Sequence, residues 1–255
     1  MPSSLRSSRL GSAYLHLCET WRSLDPGERS ALLDAFAIDY AYNSGKIEND
    51  AITLHDTREV FERGGVSAFT GSVRTLFEID NLRMSWLWMR ERLPQGFAFD
   101  EVELLTCHRM LTQGTYDERR WSRGERPGEY KHHAYVVGDD VGLEPDEVPQ
   151  AVRELLDEVR EAKGGPHDSL GSLTVAAYAH AVLVDIHPFA DGNGRLARQL
   201  ANMVLLADDV LPVLVPEGDR MAYYGALDAF HYEDDLNPFV EFLAAEALRF
   251  WDGRI

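Results

Sequence analysis

Two runs of apolar residues at helical spacing, Leu173–Ile186 and Leu196–Leu206, are separated by His187-Pro188-Phe189-Ala190-Asp191-Gly192-Asn193-Gly194-Arg195. Both runs are apolar enough to read as central, buried helices. The loop between them is polar, and its glycines relax the backbone where the chain turns. Helix, polar loop, helix is an arrangement that offers backbone N–H groups to an anion. The N–H groups that open the second helix lack intrahelical acceptors and carry its positive partial charge. The natural occupant of such a cradle is a phosphate. The first expectation is therefore a nucleotide-handling site between two buried helices.

The side chains of the loop refine that expectation. His187 ends the first helix in a polar setting, where its imidazole can take a proton from a bound hydroxyl near neutral pH; a hydrogen-bonded structural histidine is the alternative. Asp191 offers a hard carboxylate oxygen suited to Mg²⁺ bridged to phosphates, and it also suits an Asx-turn or a helix cap. Gly192, Asn193 and Gly194 can wrap an anion with backbone N–H groups and one side-chain amide. Arg195 and Arg198 stand three apart, share a helix face and can hold terminal phosphates. Taken singly, either arginine suits a surface position equally well. His180 lies two helical turns before His187 on nearly the same face, but no third metal ligand follows at useful spacing, so His180 and the more distant His108 read as structural.

The remaining composition sets bounds. At 255 residues the chain suffices for one large domain or for one domain with an extension. Its 45% hydrophobic and 27% charged content are those of a globular protein with a real core. A formal net charge of −18 argues against a nucleic-acid partner, though not against a local basic pocket. The opening Met-Pro-Ser-Ser-Leu-Arg carries no apolar signal region, and no uncharged run approaches the about 20 residues of a membrane span. No membrane partner is expected. Cys18 and Cys107 are expected to be free and buried, and the location cytoplasmic.

Read in order, residues 1 to 10 are Ser- and Arg-rich and expected to fray. Helices are predicted over Ala13–Trp21 and Asp25–Tyr42, the latter with Asp25 as cap and Pro26 in its first turn. A short helix follows over Asp56–Gly64, then a long one over Gly71–Glu91 whose Trp86 and Trp88 read as core, then Glu101–Leu111. The segment from Gln113 to Glu144 is rich in Gly, Arg and Tyr. Within it, Tyr130–Asp140 predicts a β-hairpin, the one place where strand is expected. His132 and His133 would point to opposite faces of such a strand and cannot chelate one metal efficiently. Further helices are predicted over Val148–Ala162, Ser172–Ile186, Arg195–Leu206, Asp219–Phe230 and Asn237–Trp251. The fold class is mainly α with one β-hairpin. Ser44-Gly45-Lys46-Ile47-Glu48-Asn49 is odd for a surface loop: Ser44 and Glu48 stand four apart and would share a face on a helix.

The stretch from His187 to Arg198 resembles the signature of the Fic (filamentation induced by cAMP) domain family, H-x-F-x-[DE]-G-N-G-R-x-x-R, at every fixed position, and weaker similarity extends from about Tyr42 to Phe250. The resemblance implies a helical bundle with a β-hairpin flap, and adenylyl transfer from ATP to a Ser, Thr or Tyr hydroxyl of a protein, the chain itself included, with release of pyrophosphate. In that scheme His187 is the base and Asp191 holds Mg²⁺. Gly192, Asn193 and Gly194 cradle the α- and β-phosphates, Arg195 and Arg198 position β and γ, and Tyr223 or Tyr224 lines the adenine pocket unless it is core. The flap aligns a target segment by strand addition. Phosphate-transferring relatives carry lysine in place of Gly194, so the glycine favours nucleotidyl transfer.

Ser44–Asn49 is similar to the family's inhibitory motif [ST]-x-x-x-E-[GN]. It implies that Glu48 pairs with Arg198, obstructs the γ-phosphate and leaves the enzyme self-inhibited. On this basis residues 1–65 form an N-terminal helical region carrying the motif, and residues 66–255 the catalytic core. Two other functions use the same residues: removal of AMP from a modified protein, with Glu48 positioning water, and non-catalytic ATP binding. The resemblance also implies self-association among relatives and leaves the oligomeric state of this chain open.

Overall fold

Helix α9 (Ser169–Ile186) is buried over most of its surface. Its small residues Ala176, Ala177, Ala179 and Ala181 let neighbouring helices approach closely, and Leu173 and Leu183 fill what remains. By length and composition alone α9 is apolar enough to cross a membrane, although Asp185 interrupts its uncharged run; 67% of it is buried inside the protein. It packs against α10 (Asn193–Ala207), α8 (Val148–Gly164), α12 (Asn237–Trp251), α2 (Arg9–Ser23) and α11 (Arg220–Glu233). A helix surrounded on so many sides must be apolar all round.

The computed structural model describes residues 3–137 and 140–255. Its other helices are α1 (Ser3–Arg6), α3 (Pro26–Glu48), α4 (Leu54–Arg63), α5 (Val73–Arg92), α6 (Glu101–Thr112) and α7 (Glu118–Ser122). Among the described residues, strand is confined to β1 (Val136–Val137) and β2 (Asp140–Val141), an antiparallel pair with Val136 opposite Val141. This pair falls at the end of the predicted hairpin, whose residues 138 and 139 lie outside the described residues. The fold is mainly α.

Local chemistry accounts for the helix ends. Asp25 accepts from the Gly27 and Glu28 amides, and the Glu28 carboxylate accepts from the Asp25 amide at 3.0 Å, a complete capping box around Pro26. α3 does not stop near Tyr42, as periodicity suggested. It runs on to Glu48, because Ser44, Gly45 and Ile47 are buried and reward helix there. α4 begins at Leu54, earlier than predicted, under a cap from Thr53. The N-terminus also departs from expectation: Leu5 is buried, Ser8 caps α2 through the Gly11 amide, and Arg6 pairs with Asp168 at 2.5 Å. Trp86 is core, as predicted, with its ring 5.2 Å from Phe36 and 5.1 Å from Tyr40. Phe36 also stacks on Trp251 at 5.4 Å, so these aromatic rings join α3, α5 and α12. α3 lies along α10, where Tyr40 donates to Gln199 at 3.1 Å, and its last turn is beside the first turn of α10.

Candidate active site

α9 ends when His187 enters the left-handed region (φ 49°, ψ 61°), and its amide closes the helix on Leu183 O at 3.1 Å. Gly192, with φ 85°, turns the chain into α10, whose start no side chain caps. Asn193 braces the loop from within: its amide accepts from Phe189 N at 3.0 Å and donates to Phe189 O at 2.8 Å. The side-chain amide expected to contact an anion is thus committed to the loop, and the opening backbone N–H groups of α10 are what remain for a ligand.

Two residues that the sequence reading left as structural or did not single out shape this loop. His108 on α6 accepts from Gly128 N through Nδ1 at 2.9 Å, which places its proton on Nε2, and Nε2 donates to Asp191 O at 2.9 Å. Its ring stacks on Phe189 at 3.6 Å. Burial, more than any neighbouring charge, pushes its pKa down to about 3, so it is a neutral pin. Arg74 on α5 donates to Asp191 Oδ2 at 2.8 Å while its Nε donates to the buried Glu78 at 2.9 Å. Glu78 in turn accepts from Asn49 Nδ2 at 2.6 Å, directly after Glu48.

Asp191 therefore lies among three guanidinium groups: Arg74, Arg195 at 3.1 Å and Arg120 at 3.6 Å. Burial alone would raise its pKa, but the arginines outweigh burial and hold the carboxyl below the usual carboxylate range. Among the described residues no three His, Cys, Asp or Glu side chains converge on a common point. The donor set fits a Mg²⁺ ion that arrives with phosphates and needs one protein carboxylate, since Asp191 has lone pairs beyond those its arginines use. It does not fit an ion held by protein ligands alone.

Arg198, 4% exposed, is the other centre of charge. It donates from Nε to Ser44 Oγ at 2.9 Å, and from Nη2 to Ser44 O at 2.9 Å and Glu48 Oε1 at 2.8 Å. Burial opposes its charge, but the Glu48 carboxylate more than compensates and raises its pKa. Glu48 Oε1 stands 2.5 Å from the point where a side chain on Gly194 would begin, so the carboxylate covers the first turn of α10. Tyr223, 1% exposed, accepts from Arg198 Nη1 at 3.4 Å, and its hydroxyl meets His180 Nε2 at 3.0 Å. Tyr224 is 40% exposed, its ring 5.1 Å from that of Tyr223. Of the two tyrosines, Tyr224 alone presents an accessible face.

At the other end of the loop, burial and the Lys131 ammonium bring His187 down to about 4. Its ring is therefore neutral at physiological pH and able to accept a proton. The Lys131 amide donates to Pro188 O at 2.9 Å, anchoring the segment ahead of the hairpin to the loop. Gly142, just after β2, lies so near His187 that a side chain there would begin 2.5 Å from His187 Cβ. His187, Asp191, Gly194, Arg195 and Arg198 are thus gathered at one end of the α9–α10 pair. Ser44 and Glu48 come to them from α3, and Arg74, His108 and Arg120 from α5, α6 and α7.

Residues 98–205 match the Fic/DOC family. Protein adenylyltransferase Fic of Drosophila persimilis is 30% identical over 205 residues, covering 80% of this chain and 38% of that protein. This chain thus spans well under half the length of that relative. A Fic-domain-containing signaling protein from Bacteroides thetaiotaomicron has a TM-score of 0.78 at 23% identity, covering 95% of this chain and 93% of its own. A fragment of Fic-1 from C. elegans has a TM-score of 0.79 at 23% identity, covering 96% of this chain and 71% of its own. Likeness at that identity shows a shared fold, and the matched segment contains the whole His187–Arg198 motif. Over residues 98–205 the chain carries a Fic domain of the Fic/DOC type.

Proposed function

We propose that this protein is a self-inhibited protein adenylyltransferase, a nucleotidyltransferase that moves AMP from ATP to a Ser, Thr or Tyr hydroxyl of a protein, itself included. The acceptor oxygen attacks the α-phosphorus, the bond from that phosphorus to the bridging oxygen breaks, and pyrophosphate leaves with the electron pair. The hydroxyl proton passes to His187, which burial and Lys131 keep neutral. The amides opening α10 hold the phosphates, Arg195 and Arg198 position the distal ones, and Tyr224 offers its exposed face to the base. Asp191 would hold a Mg²⁺ ion brought by ATP, which would neutralise phosphate charge. The hairpin would align the target by strand addition. In this reading residues 1–65 supply the inhibitory turn and residues 66–255 the catalytic core. A cytoplasmic setting belongs to the same proposal, supported by Cys18 and Cys107, both free and buried.

The observation that carries the reading is the 2.8 Å pair between Glu48 and Arg198, formed over the first turn of α10 where a triphosphate would lie. A terminal phosphate and Glu48 would compete for one guanidinium. Incubation with labelled ATP tests this. Glu48→Gly is expected to raise self-modification about tenfold or more, the change that corresponds to about 1.4 kcal/mol of competition. Adding His187→Ala should abolish the label. An unchanged rate in Glu48→Gly would rule out self-inhibition, and ATP binding without turnover in that variant would favour a non-catalytic module.

One feature favours a second reading. The Glu48 side chain is 38% exposed and only Oε1 is engaged by Arg198, so Oε2, without a partner among the described residues, can position a water for removal of AMP from a modified protein. Release of AMP from a pre-modified target by the unaltered protein, lost in Glu48→Gln, would select it.

A further inference from the structure

Lys131 is 2% exposed, and its Nζ, although buried, has no hydrogen-bond partner among the described residues. An ammonium brings three donors, and leaving them dry and unpaired is unfavourable. Burial pushes the Lys131 pKa below the ordinary lysine value, against the fields of Glu144 and Glu125, which favour its charge without satisfying those donors. Glu125 is already committed, accepting from His132 N at 3.2 Å and from the Tyr135 hydroxyl at 2.9 Å. The Lys131 backbone is tied to Pro188 O at 2.9 Å. Its Nζ lies 3.2 Å from the point where a Gly142 side chain would begin, the same point that is 2.5 Å from His187 Cβ and 3.2 Å from Ile186 O. A buried ammonium without a hydrogen-bond partner among the described residues thus stands beside the residue assigned as base, where the end of β2 meets the loop.

We propose that Lys131 is a ligand for phosphate: it binds a non-bridging oxygen of the phosphoryl group that receives the acceptor hydroxyl, beside His187. This rests on the transferase reading above. As the oxygen–phosphorus bond forms, negative charge grows on the non-bridging oxygens, and an ammonium already desolvated beside them stabilises that charge. The hydroxyl proton goes to His187 and the electron pair leaves with pyrophosphate, so Lys131 neither gains nor loses a proton. Its charge also disfavours a protonated His187 before the reaction begins.

Calorimetric titration of the full chain with AMP and with adenosine tests the assignment, because the two differ only in the phosphate and neither carries the γ-phosphate that Glu48 opposes. The unaltered protein should bind AMP more tightly than adenosine. Lys131→Met should weaken AMP by about tenfold, the loss expected for one charge-assisted hydrogen bond, leave adenosine unchanged, and slow transfer about 100-fold in the Glu48→Gly background. Lys131→Arg should restore most of the AMP affinity. An unchanged AMP-to-adenosine ratio in Lys131→Met overturns the role of Lys131 and leaves the transferase reading standing. If the unaltered protein binds neither compound, both fall. If Lys131→Met also loses adenosine, the fold has been harmed, and the ratio in Lys131→Gln decides by the same criterion.

Discussion

Arg198 gives Ser44 two hydrogen bonds, one to its hydroxyl and one to its backbone carbonyl, both at 2.9 Å. Ser44 precedes Glu48 by one turn of α3, so the last turn of that helix presents a carbonyl, a hydroxyl and a carboxylate to a single guanidinium. The two helices also exchange charge at their ends. Arg198 sits against the negative C-terminal end of α3, and Glu48 lies over the positive N-terminal end of α10. Each helix therefore helps to hold the other helix's charged residue in place.

Ser44→Ala isolates one strand of this grip. It removes the acceptor for Nε in a buried setting, so urea unfolding should show a loss of about 1–3 kcal/mol. On the proposed self-inhibition, the same variant should raise self-modification above the unaltered level but below that of Glu48→Gly, because Glu48 would still oppose phosphate. If neither stability nor labelling moves, the hydroxyl has no part in holding Arg198.

Arg74 bears on the other end of the site. In the proposed function a Mg²⁺ ion arriving with ATP would share Asp191 with Arg74, so Arg74→Ala should lower the Mg²⁺ concentration needed for half-maximal ATP binding severalfold. Stability should fall by about 1–3 kcal/mol, since Glu78, 4% exposed, would lose its guanidinium partner. A higher Mg²⁺ requirement would instead make Arg74 a support for Asp191 as an ion ligand.

How much of this was legible in the chain depended on whether the signal was local. The α9–loop–α10 unit declares itself because apolar periodicity and a glycine-bracketed polar loop fall within one continuous stretch. The alignment of Ser44 with Glu48 was legible as spacing, but the helix that realises it was not, because periodicity weakens after Tyr42 and the reward for helix is burial against distant elements. Arg74 and Glu78 look like a solvated i,i+4 surface pair, and nothing near them in sequence points to Asp191. His108 hides within an ordinary amphipathic helix, and its partners are Gly128 and Asp191. Tyr223 and Tyr224 are adjacent, and only packing against His180 and Arg198 decides which is buried.

Gly192→Ala should be costly for two separable reasons. At φ 85° a Cβ strains the backbone, and that Cβ would begin 2.5 Å from Thr112 Cγ2. Left-handed strain costs roughly 1–2 kcal/mol and overpacking roughly 1–3 kcal/mol. Thr112→Ser deletes Cγ2 while retaining a hydroxyl that can still donate to His108 O, as Thr112 does at 2.8 Å. In that background Gly192→Ala should cost only the strain, so a double-mutant cycle should return a favourable coupling of roughly 1–3 kcal/mol. Zero coupling would mean that the loop shifts away from α6 without resistance.

His180 connects the grip on Arg198 to pH. Arginine can only donate, so the Tyr223 oxygen accepts from it and passes its own hydrogen to His180 Nε2, which requires a neutral ring. Burial, aided by the Arg198 charge, holds the His180 pKa well below the ordinary histidine value. A folded-state pKa below the unfolded one means that the unfolded chain binds more protons in the interval between them. The stability from His180 is therefore fully present above the unfolded pKa of about 6.5 and declines as pH falls beneath it, by about 1.4 kcal/mol per pH unit. His180→Gln cannot titrate and should be less stable than the unaltered protein at pH 7. Between pH 7 and pH 5 that deficit should shrink by about 2 kcal/mol in urea unfolding, while the contributions of His108 and His187, present in both proteins, cancel in the difference. A deficit that stays constant over this range would mean that the ring accepts a proton in the folded state as readily as in the unfolded one, and that His180 does not hold Tyr223 as a neutral acceptor.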